Sequence, residues 1–223
     1  MRGEFERVEN LREFESLREF ESLRVVKDIT IMNLEDISKL IRERRMVSPP
    51  MFSEEKISDE VVKQLLENAN WAPSHRKTEP WRFHVFSGAK LEALGELFQA
   101  VYQAHMPSDK FSEMKHKKLK FKTLKSSHVI ALCMQRDPKE SVPEWEEVAA
   151  VACAIQNLWM SVTAAGLGGY WSSPGLIMDH FGEFVPLAER ERCLGFFYLG
   201  VPKEGIVLEG KREAIENKVK WYE

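Results

Sequence analysis

The recurrence of apolar positions changes character near residue 32. Over residues 1–31 apolar side chains fall at every third position, at Phe5, Val8, Leu11, Phe14, Leu17, Phe20, Leu23, Val26 and Ile29, within the tandem LREFESLREFESLR. A step of three turns about 300° on an α-helix, so this stripe winds around the axis and offers no single face to a core. Residues 1–31 read as an N-terminal extension, poorly ordered or lying upstream of a working start at Met32. A docking or oligomerisation arm is the competing reading. Residues 32–223 read as one domain.

From Asn33 the periods become those of ordinary elements. Leu34, Ile37, Leu40 and Ile41 predict a short helix that ends in Arg42-Glu43-Arg44-Arg45, and Pro49-Pro50 forbids its continuation. Ser58 predicts an N-cap, with Asp59 and Glu60 in the first turn and Val61, Val62, Leu65, Leu66 and Ala69 facing inward. This second helix stops before Pro73. Alternation predicts a strand over 82–87, helical spacing a helix over 89–104, and apolar runs predict buried strands at 128–134 and 195–200. A long helix over 144–165 is apolar on most faces. Helices and strands mix without a regular βαβ period, which predicts an α+β layered fold.

With 223 residues, 43% hydrophobic and 30% charged, the chain is long enough for a substantial core. A formal net charge of −3 gives neither sign dominance, which argues against nucleic-acid or anionic-membrane binding. The apolar run 148–165 is interrupted by Gln156, Asn157, Ser161 and Thr163, so it reads as a buried helix and not a membrane span. MRGEFERVE has no apolar h-region of a secretory signal. Cys133, Cys153 and Cys193 are widely spaced and read as three buried thiols of a cytoplasmic protein, with no metal site.

Candidate chemistry concentrates in ANWAPSHRKTEPWRF, residues 69–83, where a polar run over 74–79 stands between Ala72-Pro73 and Pro80-Trp81. Such a loop, held between ordered segments, reads as gripped around something. Gly166, Gly168 and Gly169 follow a helix, the reverse of a dinucleotide loop, and read as a helix C-cap or a close backbone approach. The lysines of 110–125 read as the solvated face of a surface helix. Arg44 and Arg45 suit a helix C-terminus, and Lys211 and Arg212 lie far along the chain. No Ser/His/Asp elbow, P-loop or HExxH motif is present.

Four blocks in order, LIRERRM (40–46), residues 69–83, VPEWEEVAAVACAIQNLWMSVTAAGLGGYWSSP (142–174) and LGFFYLGVP (194–202), resemble the FMN-dependent nitroreductase family, especially its minimal bacterial members. The resemblance implies a homodimer with a mainly antiparallel central sheet flanked by helices and one FMN in each of two interfacial clefts. It implies that Arg44 and Arg45 hold the flavin phosphate and ribityl end. Met46 stands where the family's motif has a serine, and so offers only its backbone. It places His75 at the cofactor, Glu79 at a position usually Gln, Trp171, Ser172 and Ser173 along the flavin, and Arg212 at the phosphate. The implied activity is NAD(P)H oxidation, with hydride passed through the flavin to a small acceptor such as a nitroaromatic or quinone, and no catalytic side chain is required. Another flavin reaction on the same fold, reductive dehalogenation or dehydrogenation, and a non-catalytic nucleotide-binding or assembly role are the competing functions.

Overall fold

Strands β1 (Trp81–Ser87), β2 (His128–Gln135), β3 (Gly168–Ser172) and β4 (Glu191–Gly200) form one antiparallel sheet in the order β1-β2-β4-β3. This is a computed structural model, which describes residues 33–222, so the reading of residues 1–31 lies outside the described residues. The chain divides into two compact units after Lys39, and the body considered below is Leu40–Glu223.

The central strands are apolar on both faces because both faces are covered. Ile130, Leu132 and Met134 of β2 join one core, and Val129, Ala131 and Cys133 join the other, following the period of two. Helices α2 (Asp59–Asn70) and α5 (Glu144–Ala164) cover the first face, with Leu65, Ala69, Ala154 and Leu158 against Phe197. Helices α3 (Lys90–His105), α4 (Glu113–Leu124) and α6 (Gly175–Asp179) lie on the second, where Phe98 and Val101 meet Phe196 and Tyr198. The short helix α1 (Leu34–Glu43) ends just before Arg44. The Ser58 hydroxyl accepts the Val61 N–H at 3.4 Å, as the N-cap pattern requires. Among the described residues no helix is long and apolar enough to cross a membrane.

Three expectations need correction. The stretch expected to be only a cap or loop contains β3. Gly166, at φ +68°, does cap α5, but Gly168 and Gly169 begin a strand that pairs with Gly200 and Leu199. A Cβ on Gly168 would stand 2.7 Å from Phe52 Cε1, and one on Gly169 2.4 Å from Phe197 Cζ. The strand is therefore built from residues without the side chains by which strands are recognised. Val61, expected to face inward, is exposed, while Val62, Leu65 and Ala69 are buried. Cys153 is exposed on α5, and only Cys133 and Cys193 are buried thiols.

The lysine run is only in part a solvated helical face: Lys117 pairs with Glu113, Lys120 with Glu92 and Glu96, and Lys125 with Glu54, but the partly buried Lys122 lies 4.7 Å from the Tyr170 ring centroid. A different pair is largely internal, the Glu147 side chain fully buried and the Arg136 side chain 16% exposed. Glu147, in the first turn of α5, accepts the Asp137 N–H at Oε1 at 2.8 Å, and its Oε2 lies 3.0 Å from Arg136 Nε as an ion pair without hydrogen-bond alignment.

Candidate active site

Arg44 and Arg45 follow the end of α1, where the chain turns to run beside β3 and the Val47 N–H donates to Gly169 O at 3.0 Å. This bond sets both arginines against the sheet edge. The half-buried Arg44 lies with its guanidinium carbon 4.6 Å from the centroid of the Trp159 ring on α5. Arg45 lines the same cavity but is tied to the backbone around it. Its Nε donates to Leu208 O at 2.9 Å, and its Nη1 donates to the carbonyls of Arg44 and Arg42. Gly210 packs so closely that a Cβ there would stand 2.3 Å from Arg45 Nη2. Arg45 thus braces the C-terminal segment and brings Arg212 to the same cavity.

That cavity has a volume of about 730 Å³, within the range of small-molecule sites. Its lining includes Arg42, Arg44, Arg45 and Arg212 together with Met46, Gln156 and Trp159, and no acid among the described residues. Burial first, then the charges of Arg212 and Arg45, hold Arg44 below its usual pKa. These like charges would be compensated by a bound anion. The Trp159 Nε1 donor is buried with no partner. Sequence reasoning missed Trp159, because a Trp in a mostly apolar helix looks like core. Its only signal is Gln156 one turn earlier on the same face.

The loop over 74–79 is somewhere else. Arg76, Lys77 and Glu79 all have positive φ, at 53°, 56° and 44°, although none is glycine. The loop is held by its own chain. His75 Nδ1 meets Glu146 Oε2 of α5 at 2.5 Å, and the Ser74 hydroxyl accepts the Glu79 N–H at 3.3 Å. At its end the buried Trp81 donates its indole N–H to Asn70 Oδ1 at 2.9 Å. Glu79 is exposed on the rim of a second hollow of about 550 Å³, beside Lys63 and Arg82.

Trp171 packs over Gly195, where a Cβ would stand 2.6 Å from Trp171 Nε1, and that indole nitrogen is also buried without a partner. Ser172 ends β3 and Ser173 is exposed beyond it. The chain therefore gathers Arg44, Arg45, Met46 and Arg212 but leaves His75, Glu79, Trp171, Ser172 and Ser173 out of that cavity's lining. Glu146, which holds His75, precedes Trp159 on α5 by about 20 Å of helix axis.

The profile of the Nitroreductase family matches residues 41–201. This chain belongs to that family. The nitroreductase is 28% identical over 173 residues to "Putative NAD(P)H nitroreductase YdjA" of Escherichia coli (strain K12), covering 75% of this chain and 89% of the relative. It matches the crystal structure of a nitroreductase-like family protein from Bacillus cereus with a TM-score of 0.72 and 26% identity, over 87% of this chain and 100% of the other. The fold is also that of the FMN-dependent nitroreductase NfnB from Mycobacterium smegmatis, solved in complex with NADPH. That likeness has a TM-score of 0.67 at 16% identity, over 85% of this chain and 99% of the other.

Proposed function

We propose that this nitroreductase is a homodimeric FMN-dependent NAD(P)H oxidoreductase that reduces a small acceptor such as a nitroaromatic or a quinone. The observation that carries the reading is the cavity of Arg44 and Arg212. Arg44 is part-desolvated, flanked by further cations and stacked on an indole, with no carboxylate in the lining among the described residues. A guanidinium pair of this kind suits a phosphomonoester dianion. The indole and the stem of Met46 suit an apolar ring system. FMN fits this donor set.

The residues left outside the cavity support a composite site. On α5, Trp145, Ala149, Ala152, Cys153 and Gln156 are exposed at spacings of four, three, one and three, one stripe of mostly small side chains along the helix. A two-fold axis near Cys153 lays two such helices against each other in opposite directions. Glu146 lies seven residues before Cys153 and Trp159 six after it. The partner's His75 loop then falls beside this protomer's Arg44 and Trp159. The strained loop is prebuilt and presented to a neighbour.

Bound FMN supplies the hydride-transfer chemistry. The chain's own residues do the rest: Arg44 and Arg212 neutralise the phosphate, Trp159 orients Arg44, Arg45 secures the C-terminal segment, and the apposed α5 helices exclude water. The test is a spectrum and a bleach. Purified protein incubated with FMN is expected to retain the flavin band through gel filtration, and NADH or NADPH to bleach it under anaerobic conditions, with recovery on adding a nitroaromatic or quinone. Colourless protein after incubation with excess FMN overturns the reading. Flavin that neither NADH nor NADPH bleaches points to a different flavin reaction on this fold.

A further inference from the structure

On the second face of the sheet, away from Trp159 and the arginines, three strands each contribute one metal-ligating group to a single spot. They are His84 from β1, Cys133 from β2 and Glu191 from β4, and their donor atoms all lie within 4.8 Å of one another. The strand pairing brings them together, with an irregularity in the β2–β4 register between Leu132 and Cys133. His84 stands opposite Ala131, two residues from Cys133 and so on the same face, while Glu191 stands opposite Gln135. Cys133 is fully buried, the Glu191 side chain is 4% exposed, and the His84 side chain, at 27%, leaves a way in from solvent. Nothing in the proposed flavin chemistry uses these residues.

We propose that His84, Cys133 and Glu191 bind one zinc ion. Imidazole, thiolate and carboxylate form a mixed donor set that suits this borderline-soft cation. Tetrahedral zinc with bonds of about 2.0–2.3 Å needs donors about 3.6 Å apart. His84 Nε2 and Glu191 Oε1 are now hydrogen-bonded at 2.6 Å, so they must open by about 1 Å, and Cys133 needs to close by a similar amount at most. The Ala188 N–H already holds the other Glu191 oxygen at 2.9 Å and fixes the carboxylate plane.

Zn2+ enters at His84 Nε2, the hydrogen between His84 and Glu191 moves off that nitrogen, and the Cys133 thiol proton leaves. The metal charge is then balanced by one thiolate and one carboxylate, as a buried site requires. Cys193, directly opposite Cys133 in the β2–β4 pairing, donates its own thiol to Gly195 O at 3.4 Å and acts as a neighbour of the ligand sulfur. The fourth position is left to water.

The test uses the full chain, stripped with a chelator and titrated with Zn2+ against a chromophoric competitor, and in parallel with Co2+. One metal per chain is expected. The cobalt form should show d–d bands to the red of any flavin absorbance and a thiolate-to-cobalt charge-transfer band. Cys133→Ser and His84→Gln should each weaken Zn2+ binding at least as much as the about 10–100-fold that loss of an outer-shell partner costs. The cobalt spectrum of the unsubstituted chain decides the matter even if a variant does not fold. Octahedral, pale cobalt without the charge-transfer band overturns the proposal, as does unchanged zinc affinity in folded Cys133→Ser. Loss of two thiols with the mass of two hydrogens also overturns it, because it reports a Cys133–Cys193 disulfide in place of the metal.

Discussion

The Arg44 guanidinium carbon stands 4.6 Å from the Trp159 ring centroid, which couples the cationic pocket to the helix proposed to form the subunit contact. Arg44 gains about 0.5–2 kcal/mol from such stacking as it loses water. Arg44→Ala is therefore expected to weaken FMN binding by about 1.5–3 kcal/mol, the scale of a lost charge-assisted hydrogen bond. Trp159→Leu keeps every cation but frees Arg44 and removes the indole from the cavity wall, and should weaken FMN by at least the stacking increment. Titration of flavin fluorescence measures both. Full affinity in Arg44→Ala would return this residue to a plain helix-terminal cation.

Arg45 has a different task, although it neighbours Arg44 in the chain. Its Nε bond to Leu208 O spans 163 residues of sequence and ties the exposed C-terminal segment to the body. Arg45→Ala is expected to speed tryptic cleavage at Lys211 and Arg212 several-fold while leaving the melting of the core nearly unchanged. FMN affinity should fall indirectly, through a less fixed Arg212. Equal cleavage rates in the two proteins would show that the segment is held by other contacts.

Three acids in the first turn of α5 show what the sequence could and could not reveal. Glu144, Glu146 and Glu147 look equivalent, as acids favoured at a helix N-terminus. In the fold Glu144 pairs with Arg192 at the surface, Glu146 holds His75, and Glu147 is buried against Arg136. Helix position is a local property and is legible, whereas partners from residues 75, 136 and 192 are not. The same division explains the rest. Helices and strands with strong periods, α2, α3, α5, β2 and β4, were legible from spacing and caps. The strand β3 was not, because Phe52 and Phe197 leave room only for glycine there. The arginine motif was legible by resemblance, but the separation of its pocket from the His75 loop is a tertiary fact.

The Glu147–Arg136 pair predicts a large stability effect. Removing one partner of a buried ion pair leaves the other charge uncompensated and costs about 3–5 kcal/mol. Glu147→Ala also orphans the Asp137 N–H, now satisfied at 2.8 Å. Urea denaturation should show a loss in that range, against a change below about 0.5 kcal/mol for the exposed Glu144→Ala. A small effect for Glu147→Ala would mean that the exposed part of the Arg136 side chain is enough to hydrate its charge.

Every residue assigned to the flavin site lies between Arg44 and Arg212. A chain beginning at Met32 is therefore expected to keep its FMN content and its dimer. Light scattering and the flavin-to-protein absorbance ratio of the truncated protein check this. A monomer, or loss of flavin, would show that residues 1–31 contribute to the assembly.

Glu79 provides the sharpest electrochemical prediction. It is exposed, sits at φ 44°, and has its backbone held by Ser74 and Arg82, so its side chain is aimed by the loop and not by a partner. Among the described residues no ion pair joins it to Arg76 or Lys77. If the composite site forms, this carboxylate faces the partner's flavin, where reduction adds negative charge to the ring. A carboxylate disfavours that charge, and it accepts hydrogen bonds but donates none. Glu79→Gln removes the repulsion and adds a donor, so the two-electron midpoint potential should rise, by up to about 30 mV for a tenfold change in the equilibrium. Salt should shrink the difference, since the group is within reach of solvent. Potentiometric titration of the dimer at low and high ionic strength measures it. An unchanged or lowered potential in the variant would place Glu79 away from the ring and leave the His75 loop a structural contact between subunits.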